Sequence, residues 1–324
     1  MTAVLQILRA GPACTVQDAG RTGWLRYGVT PAGPMDWIAH ATANLLADNP
    51  PHAATIEIGP GGMDLSVIGG PLRLGLSAQG FLVKRGRNPL PTRMALTLHP
   101  GDPLTIRPGP DGLWAYITLA GGLALPPVMG SLSTHLRSGI GPCGGTALRG
   151  GQTIAPASVT PTDIPDLALI TPLQAPSHVI RFVPGPQDDH FSPQSLAAFC
   201  AATYSVSPHS DRMGYRLSGP PVLSLLGHDI VSDGIALGAI QVPGDGLPIV
   251  LMADRQPTGG YPKIGCVIRA DLPRLAQTRP GQSVHFSAVT VEDAVTALRN
   301  AVPTRAKMTP ALRRMTTTWP AGKT

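Results

Sequence analysis

Apolar and polar positions alternate in short runs along much of the chain, as in GMDLSVIGG, LRLGLSA, FLVKRG, MALTLHPGDPLTIRPG and GLWAYITLAGG. Alternation with a period of two puts successive side chains on opposite faces, so each run predicts a half-buried strand. Gly, Pro or Asp ends the runs every ~8–12 residues, the spacing of a barrel or sandwich built from short strands. Three segments follow a helical period instead. In MDWIAHATANLLADNP, Ile38, Ala41, Leu45 and Leu46 share one face, and Pro50 and Pro51 end the pattern. SPQSLAAFCAATY opens with Ser192 as a cap and Pro193 at the first helical position. TVEDAVTALRNAV has Thr290 as a cap and Glu292 and Asp293 in its first turn, where a helix favours negative charge.

With 324 residues the chain has room for two domains. Its 38 glycines and 36 prolines against 14% charged residues fit many strands joined by tight turns. A proline-dense stretch, IAPASVTPTDIPDLALITPLQAPSHVIRFVPGP, places the boundary near residue 165. The expected division is 1–165, 166–295, and a basic, flexible tail over 296–324. TVQDAGRTGWLRYGV in the first half rhymes with HSDRMGYRLSGP in the second: an acid, then Arg, Gly, an aromatic and Arg. Each lies beside a helix of its half, a pattern that an internal duplication would produce.

Charge narrows the function. The 25 basic and 19 acidic side chains give a net +6, but six of the basic ones, from Arg299 to Lys323, follow the last acid, Asp293. The body is therefore balanced, and no basic face for nucleic acid is built into a domain. Cys14, Cys143, Cys200 and Cys266 form no C-x-x-C pair and the histidines no H-x-x-x-H pair, so no metal site is expected and the thiols read as buried and free. No apolar run has the length of a membrane span and the N-terminus does not read as a signal peptide, so a cytoplasmic protein is expected. The terminal GKT is no phosphate loop, because Thr317 stands where that motif has glycine and no helix follows.

The densest chemistry is in GAIQVPGDGLPIVLMADRQPTGGYPKIG, residues 238–265, where an apolar run leads into a polar loop. Lys84 and Lys263 are the only lysines before Lys307, so a lysine between Pro262 and Ile264 reads as a chosen donor rather than a solubilising charge. SPHSDRMGYRLSGP is the second candidate: Arg212 and Tyr215 either face a pocket or serve an ion pair and the core. The same two readings hold for Gln17, Asp18, Arg21 and Asp36 in the first half. Glu57 is the only glutamate before Glu292.

Five ordered stretches resemble one family: TVQDAGRTGWLRYGVTPAGPMD, AYITLAGGLALPPVMGSLST, HSDRMGYRLSGP, GAIQVPGDGLPIVLMADRQPTGGYPKIG and ADLPRLAQTRPGQSVHF. Across about residues 5 to 290 the chain is similar to the C subunits of bacterial 5-oxoprolinases, also called allophanate hydrolase subunit 2 or KipA-like. These are related to the carboxyltransferase domain of biotin-dependent urea carboxylase. It departs at Asp233, where the family often has glutamate, and at Ser218, where an acid is frequent. The resemblance implies a mainly β fold of two tandem cyclophilin-like β-barrel domains with few short helices. It implies two partners, a KipI-like B subunit and an A subunit, with which 5-oxoproline is opened to L-glutamate using ATP. In the implied chemistry Arg212, Arg255 and Lys263 supply positive charge, and Gln241, Gln256, Thr258, Tyr261 and Tyr215 bind the amide. Asp245 or Asp254 orients donors or accepts a proton. The resemblance also leaves room for a carboxyltransferase that uses biotin to act on urea or a related amide, and for a non-catalytic antagonist of a KipI-like sensor-kinase inhibitor. The ATP site is not located by any motif.

Overall fold

The computed structural model describes residues 3–170 and 178–315; the terminal GKT lies outside them. Contacts divide the chain into two units, and the division is not a single cut. One unit takes Met1–Arg21, Asp36–Leu173 and Pro303–Thr324, and the other takes Thr22–Met35 and Gln174–Val302. The architecture is mainly β, as the alternation predicts.

In the first unit the strands form a six-stranded and a seven-stranded sheet. Their alternate apolar positions share one core, which includes Leu5, Ile7, Ile56, Leu65, Leu74, Leu96, Ile106 and Ile117. The helix Trp37–Leu46 forms where its periodicity places it, capped by Asp36, whose carboxylate accepts from Ala39 N at 2.9 Å. Of the expected apolar stripe, Ala41 and Leu46 are buried, but the buried side is wider and partly polar. His40, Ala43 and Asn44 are buried, while Ile38 and Leu45 are half-exposed. Gly75 explains this: a Cβ there would collide with Ala43 O, so glycine lets the helix backbone approach the strand Leu72–Ser77. The buried polar groups are then satisfied locally, His40 Nδ1 with Thr55 Oγ1 at 3.0 Å and Asn44 Nδ2 with Ala53 O at 2.7 Å. The chain leaves the helix at Asp48, in the left-handed region at φ 57°, before either proline is reached.

The second unit holds a closed seven-stranded barrel. In order around it run Val179–Pro184, Lys263–Val267, Ala239–Gln241, Ile249–Leu251, Gly214–Ser218, Tyr204–Val206 and Ser283–Ala288. Parallel pairing of the last with the first closes it. The helix Pro193–Ala201, capped by Ser192 as the sequence predicts, adds Phe199, which stacks on Phe286 at 4.7 Å and meets Phe182 edge-on at 5.4 Å. Gly265 lies against the Phe182 ring, where any Cβ would overlap it.

The expectation of a flexible tail from residue 296 is corrected through Met315. The helix Val291–Ala301 carries a capping box between Thr290 and Asp293. The turn Arg305–Met308 follows, and Leu312–Arg314 pairs with Leu167–Leu169 in the first unit. Composition misleads here because few apolar residues suffice: Met308 packs with Leu46, Ala95 and Leu169. The Arg305 guanidinium donates to Leu45 O at 2.8 Å. All four cysteines are free thiols; Cys14 is buried and the other three only half-buried.

Candidate functional site

The polar loop singled out in the sequence sorts into two groups of different character. The first is closed on itself. Arg212 and Asp254 form a two-pronged pair, Nε to Oδ2 and Nη2 to Oδ1, both at 2.9 Å. Asp254 N also donates to Arg212 O at 2.8 Å, and Arg212 Nη2 to Gly33 O at 2.7 Å. Both side chains are buried. Their polar atoms hold segments of the second unit together, including Thr22–Met35, so the Arg212 and Asp254 expected to face substrate and handle a proton are engaged with each other as a buried pair. Tyr215 is likewise a core residue: it is buried and its hydroxyl donates to Ala276 O at 2.7 Å. Arg255 donates from Nε to Ile235 O at 3.1 Å, and burial lowers its pKa. It braces the segment that leads from Asp233 toward Gln241.

The second group is open. Lys263 and Gln241 are Cα partners across the antiparallel strands Lys263–Val267 and Ala239–Gln241, so their side chains leave the same face. The register shifts beside them: Ile240 faces Gly265 and Gln241 faces Lys263, which leaves Ile264 as a bulge. Lys263 is only 2% exposed, an unusual place for an ammonium. Among the described residues its Nζ has a single partner, Asp233 Oδ2 at 3.3 Å, so two N–H groups remain to donate. Gln241 is equally buried, and its Nε2 has no hydrogen-bond partner among the described residues. Gly259 closes the wall beside it, where a Cβ would stand 2.7 Å from that Nε2.

Asp233 completes the group. It lies on the two-residue strand Asp233–Gly234, paired with Thr258–Gly259, and its side chain is 55% exposed. The Gly234 backbone N–H, then the Lys263 ammonium, hold its pKa below the ordinary carboxylate value. At neutral pH it is therefore an acceptor and a poor base. Gln187 steadies the assembly, its Oε1 accepting from Lys263 N at 3.2 Å. In the sequence Asp233 stands out only as a departure from glutamate, and Gln187 carries no signal at all. Of the remaining candidates, Gln256 is half-buried, and Thr258 and Tyr261 are exposed on the same loop. Asp245 is exposed, and its carboxylate accepts from Leu247 N at 3.0 Å. It lines a shallow depression with His209 and Arg216, none of them part of the Lys263 group.

In the first unit the candidates serve the fold. Asp18 accepts from Ser131, Ser133 and the backbone of Leu132 and Gly20. Burial alone would raise its pKa, but these bonds together lower it. Arg21 donates to Val128 O and Ser133 O, and Gln17 to Thr15 and Thr134 O. Glu57 is fully buried and accepts from the Tyr116 hydroxyl at 2.6 Å. Burial, followed by the Glu57 charge, pushes the Tyr116 phenol well up.

Known proteins are similar to this chain in sequence and fold. The family described as "Carboxyltransferase domain, subdomain A and B" matches residues 27–288. The C subunit of the Escherichia coli 5-oxoprolinase is 37% identical over 294 residues, covering 91% of this chain and 94% of that protein. The crystal structure of TTHA0988 superposes with a TM-score of 0.80 at 30% identity, over 88% of this chain and 56% of that one, so this chain spans little more than half of its length. The Kluyveromyces lactis urea carboxylase structure superposes at 0.84 with 24% identity, over 92% of this chain and 28% of the other, a likeness of fold. The chain belongs to the family of carboxyltransferase domains, subdomain A and B, that includes the C subunits of 5-oxoprolinases.

Proposed function

We propose that this chain is the C subunit of an ATP-dependent 5-oxoprolinase. In this reading it works with a KipI-like B subunit and an A subunit to open 5-oxoproline to L-glutamate. The Lys263, Gln241 and Asp233 group engages the lactam. One observation carries the geometry: two buried donors with unused N–H groups, Lys263 Nζ and Gln241 Nε2, leave the same face beside an ionised carboxylate. A lactam presents the matching set. Its carbonyl oxygen accepts from Lys263 and Gln241, and its N–H donates to Asp233. Donation to the oxygen strengthens as negative charge develops there, so these contacts favour the transition state over the bound substrate. Lys263, being charged, is the stronger of the two donors. Asp233 orients the ring rather than removing a proton, because its pKa is lowered.

When bound by the complex, ATP activates the lactam oxygen. The Lys263 group does not fit a triphosphate. One ammonium faces a carboxylate, whereas phosphates call for several cations or a cluster of backbone N–H groups. No step is therefore assigned to the nucleotide on this face. A second reading is supported by the family itself and by the 26% identity over 310 residues to a putative urea carboxylase of Emericella nidulans. In it, the same donors polarise urea or a related amide for biotin-dependent carboxylation. The test is single-turnover conversion of 5-oxoproline by the reconstituted complex. The Lys263→Ala variant is expected to lose rate by ~10²–10³-fold, as on removal of an oxyanion donor. An unchanged rate and affinity would remove Lys263 from the chemistry.

A further inference from the structure

We infer that the outer face of the 221–232 loop is a docking surface for a partner protein that presents an apolar patch rimmed by Lys or Arg. Leu223, Leu225, Leu226 and Val231 are 70%, 64%, 62% and 92% exposed, within nine residues of chain. Single exposed apolar side chains are ordinary, but a cluster of this kind marks an interaction site. The loop is not slack. Val222 is buried and its N–H donates to Gly246 O at 2.8 Å. Leu225 N donates to His190 O at 2.7 Å and Ile230 N to Gly260 O at 2.8 Å. Ser224 Oγ donates to Gly227 O at 2.6 Å. The backbone is thus tied down while the leucines stay in water.

Charge selects the occupant. No Lys or Arg occurs between Arg216 and Arg255, whereas Asp229 is exposed on this stretch and Asp188 and Asp189 on the neighbouring turn. An apolar, acidic face is complemented by an apolar patch with basic neighbours. A second copy in two-fold contact would set the same carboxylates against each other, and an anionic lipid surface would be repelled. The face is also continuous with the candidate site. Gly260 follows Gly259 in the site wall, and Asp188 follows Gln187, which accepts from Lys263 N. A partner seated on the loop lies beside the lactam group, and by the function proposed above that partner is the KipI-like B subunit.

The experiment is sedimentation velocity of the full chain with the purified KipI-like partner, without substrate or nucleotide. Binding is thereby read independently of whether the complex opens 5-oxoproline. The Leu225→Glu/Leu226→Glu double variant is expected to weaken binding by at least ~100-fold with unchanged thermal melting. Asp188→Lys/Asp189→Lys is expected to weaken it less, and added salt to weaken the wild type. Leu82→Glu, an exposed position in the first unit, is expected to bind normally. The inference is overturned if the wild type does not bind the KipI-like partner, or if the leucine variant binds it as well as wild type does. It is also overturned if Leu82→Glu is equally weakened, or if the leucine variant abolishes self-association instead.

Discussion

Gln241→Met separates a functional amide from a structural one. Gln241 is 2% exposed and its Nε2 has no partner among the described residues. Leaving a buried donor unsatisfied costs about 1–3 kcal/mol, and methionine has a similar length with no donor to desolvate. Losing any bond made by Oε1 returns about 1 kcal/mol of that. The expected net gain in stability is up to about 2 kcal/mol, which for a domain of this size raises the melting temperature by up to roughly 6 °C. Catalysis should move the opposite way. Removing one donor to a developing oxyanion lowers kcat by ~10²–10³, or about 2.7–4 kcal/mol of transition-state stabilisation. Differential scanning calorimetry of the chain, beside 5-oxoproline-stimulated ATP hydrolysis by the complex, reads both. A Met variant that is less stable yet fully active would refute the argument, because Gln241 would then be an ordinary structural amide.

The structural assignments have their own tests. Asp254→Ala leaves the buried Arg212 guanidinium without its two-pronged partner and should cost about 3–5 kcal/mol in urea denaturation. Tyr215→Phe removes the bond to Ala276 O, so about 1 kcal/mol is lost with activity intact. His40 is buried and its pKa is pushed down to about 4 by desolvation. The unfolded chain takes up the proton near pH 6.5 and the folded chain does not. Stability is therefore full above about pH 6.5 and falls by about 3 kcal/mol as pH drops to about 4. Urea titrations of wild type and His40→Gln across that range should differ in slope, with the variant the flatter.

Much of the fold is legible because local rules and tertiary packing agree. Ser192 with Pro193, and Thr290 with Glu292 and Asp293, mark helix starts by capping chemistry alone. What escapes is non-local. Nothing in Thr22–Met35 announces that Gly33 O will accept from Arg212, or that Leu312–Arg314 will return to pair with Leu167–Leu169. The rhyme between the halves is half kept. Arg21 and Arg212 are both buried and donate to carbonyls, but Asp18 gathers serine hydroxyls while Asp211 accepts from the backbone of Met213 and Gly214. In the candidate site, the scarcity of lysine singles out Lys263. Its partners Asp233 and Gln187 lie 30 and 76 residues away and meet it through the pairing of Asp233–Gly234 with Thr258–Gly259 and of Val179–Pro184 with Lys263–Val267. For Arg212, Asp254 and Tyr215 the sequence cannot choose, because a buried ion pair, a core phenol and a binding site draw on the same residue types.

The most direct test of the account is glutamate formation from 5-oxoproline and ATP by this chain mixed with the KipI-like B subunit and the A subunit proposed for it. The account predicts product only when all three are present, and loss of that product with Lys263→Ala. An assembled complex that hydrolyses no ATP in response to 5-oxoproline would contradict it and favour carboxyl transfer to an amide.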